Sequence, residues 1–84
     1  MKYQILYTRR AEKDLSNLDT AIRKRIGNKI LQMSLNPFLY AEHLTDPRIG
    51  TYRFRIGDYR VIFDVAENDL VILRIGHRRE IYRR

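Results

Sequence analysis

Tyr3, Ile5 and Tyr7 alternate with their neighbours through residues 2–8, the two-residue period of a β-strand. The period then lengthens. Ala11, Leu15 and Leu18 share one face of a helix predicted over residues 9–18, with Thr8 placed to cap it. A second helix is predicted from Asp19 as its cap, through the stripe Ile22, Ile26, Ile30 and Met33, to a stop at Asn36-Pro37. Residues 38–50, which include Pro47, show no period and read as irregular. Three strands follow, over residues 51–56, 59–65 and 70–78. Gly57-Asp58 and Asn68-Asp69 supply the hairpin turns between them, and residues 79–84 are left as a short final turn.

The order β-α-α-β-β-β predicts an α+β fold, a small antiparallel sheet with a helical hairpin packed on one face. All 84 residues form a single domain, because a chain this short has no room for two cores. Its own stability should be modest, so a tight partner would stabilise it appreciably.

Strand parity then separates two faces. Tyr52, Phe54 and Ile56 fall together, as do Tyr59, Val61, Phe63 and Val65, and Val71, Leu73, Ile75 and His77. With these sets toward the helices, Arg53, Arg55, Arg60, Arg74 and Arg78 emerge on the other face. So many like charges on one surface call for an anion. A bland alternative is a solvated face on which Asp58, Asp64, Asp69 and Glu80 pair with some of them.

The charge balance supports the anion. Seventeen basic residues against ten acidic ones give a net charge of +7, and thirteen of the seventeen are arginine. Arginine's planar fork grips phosphate oxygens in pairs, which points to a nucleic acid. There is no cysteine, so disulfides and thiolate metal sites are excluded and a cytoplasmic setting is expected. No apolar run approaches the roughly 20 residues of a membrane span, and no secretory leader is visible. The histidines, His43 and His77, are too isolated to suggest zinc. Neither a metal nor a cofactor is expected.

Two stretches together carry a resemblance. Tyr52-Arg53-Phe54-Arg55-Ile56-Gly57-Asp58-Tyr59-Arg60-Val61-Ile62-Phe63, followed by Ile75-Gly76-His77-Arg78-Arg79-Glu80-Ile81-Tyr82-Arg83, is similar to the RelE family of bacterial and archaeal toxins. The element order and the Asn36-Pro37 helix stop also fit it. The resemblance implies the toxin of a type II toxin–antitoxin system, a ribosome-dependent endoribonuclease that cuts messenger RNA in the ribosomal A site. It implies as partners a RelB-like antitoxin, with which the toxin forms a hetero-oligomer, together with the ribosome and its messenger. Carried over by position, the implied catalytic residues are Arg53, Arg55, Arg60, Arg78 and Tyr82. Arg53, Arg55, Arg74 and Arg79 are expected to hold RNA.

The implied reaction needs no metal. The ribose 2′-oxygen attacks the adjacent phosphate, which leaves a cyclic phosphate and a free 5′-hydroxyl. Arg60 is assigned to clamp the phosphate and Arg78 to the leaving oxygen, while Tyr82 orients a base or relays a proton. Some family members carry lysine on the first meander strand, a group that can shed its proton. Arg53 and Arg55 keep theirs, so the sequence leaves the proton acceptor unassigned. His77 is a further candidate, since histidine is the commonest proton-transfer side chain, although parity sets it on the apolar side. Two other readings compete. One is a ParE-type inhibitor of DNA gyrase on the same fold, and the other is a non-catalytic RNA- or DNA-binding module.

Overall fold

The computed structural model describes residues 3–82. Lys2, where the predicted first strand begins, and Arg83 and Arg84, which close the predicted tail, lie outside the described residues. The chain runs β1 (Gln4–Tyr7), α1 (Arg9–Ser16), α2 (Thr20–Met33), α3 (Pro37–Tyr40), β2 (Glu42–His43), β3 (Tyr52–Ile56), β4 (Tyr59–Ala66) and β5 (Asp69–His77). The strands make one sheet in the order β1-β5-β4-β3-β2.

The expected α+β arrangement holds, with two elements added and one pairing changed. Residues 38–50 contain most of the short helix α3 and the two-residue strand β2. The β1 strand lies parallel to β5, so the sheet is mixed where an antiparallel one was expected. Alternation shows that a segment is a strand, but not which neighbour it pairs with or in which direction.

Local signals place the helices. The Thr8 hydroxyl accepts a hydrogen bond from the Ala11 N–H at 3.1 Å and so caps α1. Asp19 stands at the start of α2, but its side chain makes no capping bond; its carbonyl accepts from Arg23 N–H at 2.8 Å instead. Pro37 ends the run after α2 and opens α3, where its missing N–H costs nothing. Ala11, Ile26, Ile30 and Met33 pack on Phe54, Ile56, Val61, Phe63, Leu70, Ile72 and Ile75 to form the core.

The parity reading of β5 needs a correction. Val71 and Leu73 were expected toward the helices, yet Leu70 and Ile72 occupy the core there. The cause is a bulge. Ile62 pairs with Arg74 and Phe63 with Ile72, which leaves Leu73 as an extra residue and reverses parity on either side of it. Ile75 and His77, beyond the bulge, keep the expected side.

The face away from the helices is also less open than expected, since Ile62 is fully buried on it. The segment 44–50 folds over this part of the sheet. A side-chain carbon on Gly50 would lie 2.5 Å from the Ile62 methyl and 3.1 Å from Leu73, and its φ of 150° is territory that only glycine occupies freely. Gly50→Ala is therefore expected to destabilise the protein by at least about 2 kcal/mol, from overpacking plus backbone strain. Urea unfolding should show a lower midpoint with an unchanged slope. Gly57, at φ 60°, makes the β3–β4 turn as expected, whereas the β4–β5 turn is Glu67-Asn68, one residue earlier than read.

Candidate active site on the sheet face

The remaining part of that face carries the cations. In β3, Arg53 and Arg55 point away from the core that Phe54 and Ile56 enter. Register then sets Arg55 directly across from Arg60, and Glu42 across from Arg53. Like charges opposite one another on a sheet repel. Two arrangements relieve that repulsion here. A single Glu42 oxygen, Oε1, accepts from Arg53 Nε at 2.9 Å and from Arg55 Nε at 2.7 Å. Arg60 bends back into the hairpin, where its Nη1 donates to the carbonyls of Gly57 and Tyr59, both at 2.9 Å.

Arg60 is thus a fixed cation, 9% exposed. Among the described residues its Nε and Nη2 make no hydrogen bond, and neither is sealed from solvent. These are the donors left to face an incoming ligand. Glu42 is held below the usual carboxylate range, first by the Arg55 hydrogen bond and then by that of Arg53. It therefore adds stability above its unfolded pKa, and this is lost as the pH falls through the lowered folded value. Solvent screens the contribution, because the side chain is substantially exposed.

The turn after β5 brings in the tyrosine. Ile81 N–H donates to the His77 carbonyl at 2.9 Å, and the buried Ile81 side chain lies against Gly76. This carries Tyr82 across to β3, where Arg53 Nη1 donates to its hydroxyl oxygen at 2.7 Å. The Arg53 guanidinium is held above its ordinary pKa by Tyr82 first and by Glu42 second. Arg53, Arg55, Glu42 and Tyr82 form one hydrogen-bonded group, and Arg60 stands across from Arg55 in the strand pairing.

The other predicted residues sit at varying distance from it. Arg78 donates its N–H to the Asp58 carbonyl at 2.7 Å, and its guanidinium lies 3.5 Å from the Asp58 carboxylate. It therefore flanks the same hairpin that holds Arg60. Arg79 is exposed on the following turn. His77 packs edge-on against Tyr59, and its Nδ1 accepts from Arg79 N–H at 3.2 Å, which keeps it apart from the cluster.

Arg74 is engaged elsewhere. Its Nε donates to Asp14 of α1 at 2.8 Å, and the same carboxylate oxygen accepts from Ile75 N–H at 3.0 Å. The bulge at Leu73 and the end of β1 at Tyr7 bring α1 alongside this stretch of β5, so Arg74 serves the helix–sheet junction. Asp14→Ala is expected to cost about 1.5–3 kcal/mol, since both donors lose a charged acceptor. A urea midpoint unchanged from wild type would contradict that.

Two residues near the site carried no signal in the sequence reading. Glu42 lies on a strand too short to show a period. Arg25 of α2 packs against the Gly57 turn, 3.1 Å from where a side-chain carbon would stand. Helical spacing gives its face, but not that the face ends beside this hairpin.

Comparison with known proteins identifies the family and the fold. A family model described as the ParE toxin of the type II toxin–antitoxin system parDE matches residues 5–82. The chain belongs to the RelE/ParE superfamily of toxins. This toxin is similar to toxin RelG of Mycobacterium tuberculosis, 32% identical over the full length of both chains. It is 30% identical to toxin RelE3 of Methanocaldococcus jannaschii, over 94% of each. Among solved structures it superposes on a chain of the RelBE2 toxin–antitoxin complex of M. tuberculosis. The TM-score is 0.82 at 26% identity, covering 92% of this chain and 99% of that one. It is thus a type II toxin whose fold is that of RelE proteins.

Proposed function

We propose that this toxin is a ribosome-dependent endoribonuclease that cleaves messenger RNA in the A site by attack of a ribose 2′-hydroxyl on the neighbouring phosphate. One observation carries the proposal: Arg55 and Arg60 stand directly opposite one another on one sheet face, beside a carboxylate that Arg55 bonds and a phenol that Arg53 bonds.

The chemistry needs a proton acceptor, charge around the phosphorane and a proton donor. Glu42 supplies the acceptor that sequence left unassigned. Its Oε1 is occupied by two arginines, and among the described residues its Oε2 accepts nothing. Like any ordinary carboxylate it is ionised at neutral pH, and the two arginines that lower its pKa make it a weaker base. Arg60, fixed by two carbonyls, and the terminal nitrogens of Arg55 take the non-bridging phosphate oxygens, where pre-oriented donors act most strongly. The Tyr82 hydroxyl accepts from Arg53, so its own proton is left to donate to the departing 5′-oxygen. Arg78, beside the hairpin, steadies the charge on that oxygen, and Arg79 meets the flanking backbone. The reaction balances without a metal: the 2′-O–P bond forms, the P–O5′ bond breaks, and one proton passes from nucleophile to leaving group.

We propose as partner a RelB-like antitoxin, assembled with the toxin in a hetero-oligomer. The M. tuberculosis structure is a complex of that kind. A charge of +7 suits an acidic binding segment. The exposed apolar side chains Leu31, Leu35, Phe38 and Leu39 suit its apolar residues. The site of action is the cytoplasm, where ribosomes are found.

A ParE-type action on gyrase is the competing reading, which the name of the family model favours. Both are tested together. The toxin is added to ribosomes translating a defined messenger, with 5′ ends mapped by primer extension, and in parallel to a gyrase supercoiling assay. New ends within the A-site codon and unimpaired supercoiling are expected. Blocked supercoiling without new ends would replace the nuclease reading, and binding without either effect would leave a non-catalytic module.

A further inference from the structure

Arg25 stands beside the site, and the proposed chemistry does not use it. It lies on α2 one residue before buried Ile26 and three after Ile22, at the rim of the stripe that packs on the sheet. From there its side chain reaches the β3–β4 turn. Its Nη2 lies 3.1 Å, and its guanidinium carbon 3.9 Å, from where a side-chain carbon on Gly57 would stand. The glycine leaves the room in which the guanidinium rests. Gly57 is also the residue whose carbonyl accepts from Arg60 Nη1 at 2.9 Å. One cation from the helical layer and one from the sheet therefore meet at a single glycine.

The other arginines around that turn have partners. Arg60 has its two carbonyls, Arg55 shares Glu42 with Arg53, and Arg78 lies 3.5 Å from the Asp58 carboxylate. Arg25 makes no hydrogen bond or ion pair among the described residues, although Asp58 is the next residue along the turn. Its residue is exposed, so water can reach all of its donors. A guanidinium that served only solubility would extend into that water; this one lies back on the hairpin. Three guanidiniums, from α2, β4 and the segment after β5, thus surround a turn whose own carboxylate is Asp58 alone. Such an excess of fixed positive charge favours an anion at the tip.

The residue type and the place select the anion. An arginine fork suits paired phosphate oxygens, and an RNA strand presents its phosphates in series. A strand held by one phosphate at Arg60 can offer the next one at the tip of the same hairpin. We propose that Arg25 binds the messenger phosphate adjoining the one held by Arg60, so that the strand runs from the sheet face around the β3–β4 turn toward α2. This rests on the nuclease reading and adds to it the path of the strand. A contact of this kind carries no base information. It fixes the register of the backbone, and with it the alignment of the 2′-oxygen for attack.

The side-chain Nε–H signals of Arg25 and Arg60 are followed by NMR in the full-length toxin at low salt. Two uncleavable 2′-O-methyl RNAs are added in excess, a dinucleotide with one phosphate and a tetranucleotide with three. The dinucleotide is expected to move Arg60 alone, and the tetranucleotide to move both arginines. Arg25→Gln, which exchanges one good helix former for another, should weaken the tetranucleotide by a factor on the order of five, as for one exposed charged contact. Its logarithmic salt dependence should also fall by about 0.7, the share of one single-strand phosphate. Dinucleotide binding should not change. Arg25→Lys keeps the charge and should keep the slope, while Lys24→Gln, which removes a charge from the neighbouring exposed position, should leave affinity and slope alone. An Arg25→Gln toxin that binds the tetranucleotide as Lys24→Gln does overturns the proposal, and the nuclease reading stands if Arg60 still moves. Loss of affinity only for messenger-free ribosomes would assign the phosphate to ribosomal RNA and overturn the path along the messenger. An Arg60 signal that neither RNA moves overturns the phosphate site on which both readings rest.

Discussion

Replacing Arg60 by alanine is expected to lower A-site cleavage by a factor of about 10²–10³, the range seen when one pre-oriented transition-state donor is removed. The reason is its rigidity. Two backbone carbonyls hold its Nη1, and the residue as a whole is 9% exposed. It meets the developing phosphorane charge without reorganising. The substitution also strips the Gly57 and Tyr59 carbonyls of their donor, so a stability loss of about 1–3 kcal/mol accompanies it. Arg60→Lys separates the two effects. It keeps a cation but not the fork, and should restore folding more than cleavage. Single-turnover cleavage on ribosomes, with circular dichroism to confirm folding, measures both. Arg60→Ala cleaving at the wild-type rate would remove it from the mechanism.

Glu42→Gln is the second large effect, and its sign differs between two readouts. Cleavage should fall by at least about 10², within the range for loss of a general base. Binding to RNA should become tighter and more salt-dependent, because a negative charge has been removed from between Arg53 and Arg55. A carboxylate that merely tethers arginines would be largely replaced by the glutamine amide oxygen, so retained cleavage would sink the assignment. Stability gives an internal control. The advantage of wild type over Glu42→Gln should be present at neutral pH and disappear as the pH falls through the lowered Glu42 value, since the protonated carboxyl and the amide are then equally uncharged.

How far the sequence reached depended on regularity. The β3 strand is short and unbroken, so parity separated Arg53 and Arg55 from Phe54 and Ile56 correctly, and the Gly57 turn carried the register on to Arg60. On β5 the same rule failed at one residue. The Leu73 bulge reversed the first half of the strand, and Arg74 went to Asp14 and the α1 junction. No local signal marks that bulge, which falls just past the residues that β1 pairs.

Glu42 was missed for a related reason. Its strand has two residues, its partner is eleven positions away, and the stretch between contains Pro47 and turns that read as loop. The face expected to be bare is half covered by that same loop over Ile62, which confines the cations to the part next to Tyr82. The family resemblance supplied Tyr82, and its bond to Arg53 explains how a residue beyond the last strand reaches the first strand of the meander.

The chemistry of the cut ends tests the central claim most directly. A messenger carrying a single 2′-deoxynucleotide at the cleaved position of the A-site codon is compared with its all-ribose counterpart on the same ribosomes. The account predicts that the all-ribose messenger yields a 2′,3′-cyclic phosphate and a 5′-hydroxyl, and that the deoxy messenger stays intact although the toxin still binds. Cleavage of the deoxy messenger, or a 5′-phosphate on the downstream fragment, would mean that water is the nucleophile and that the account is wrong.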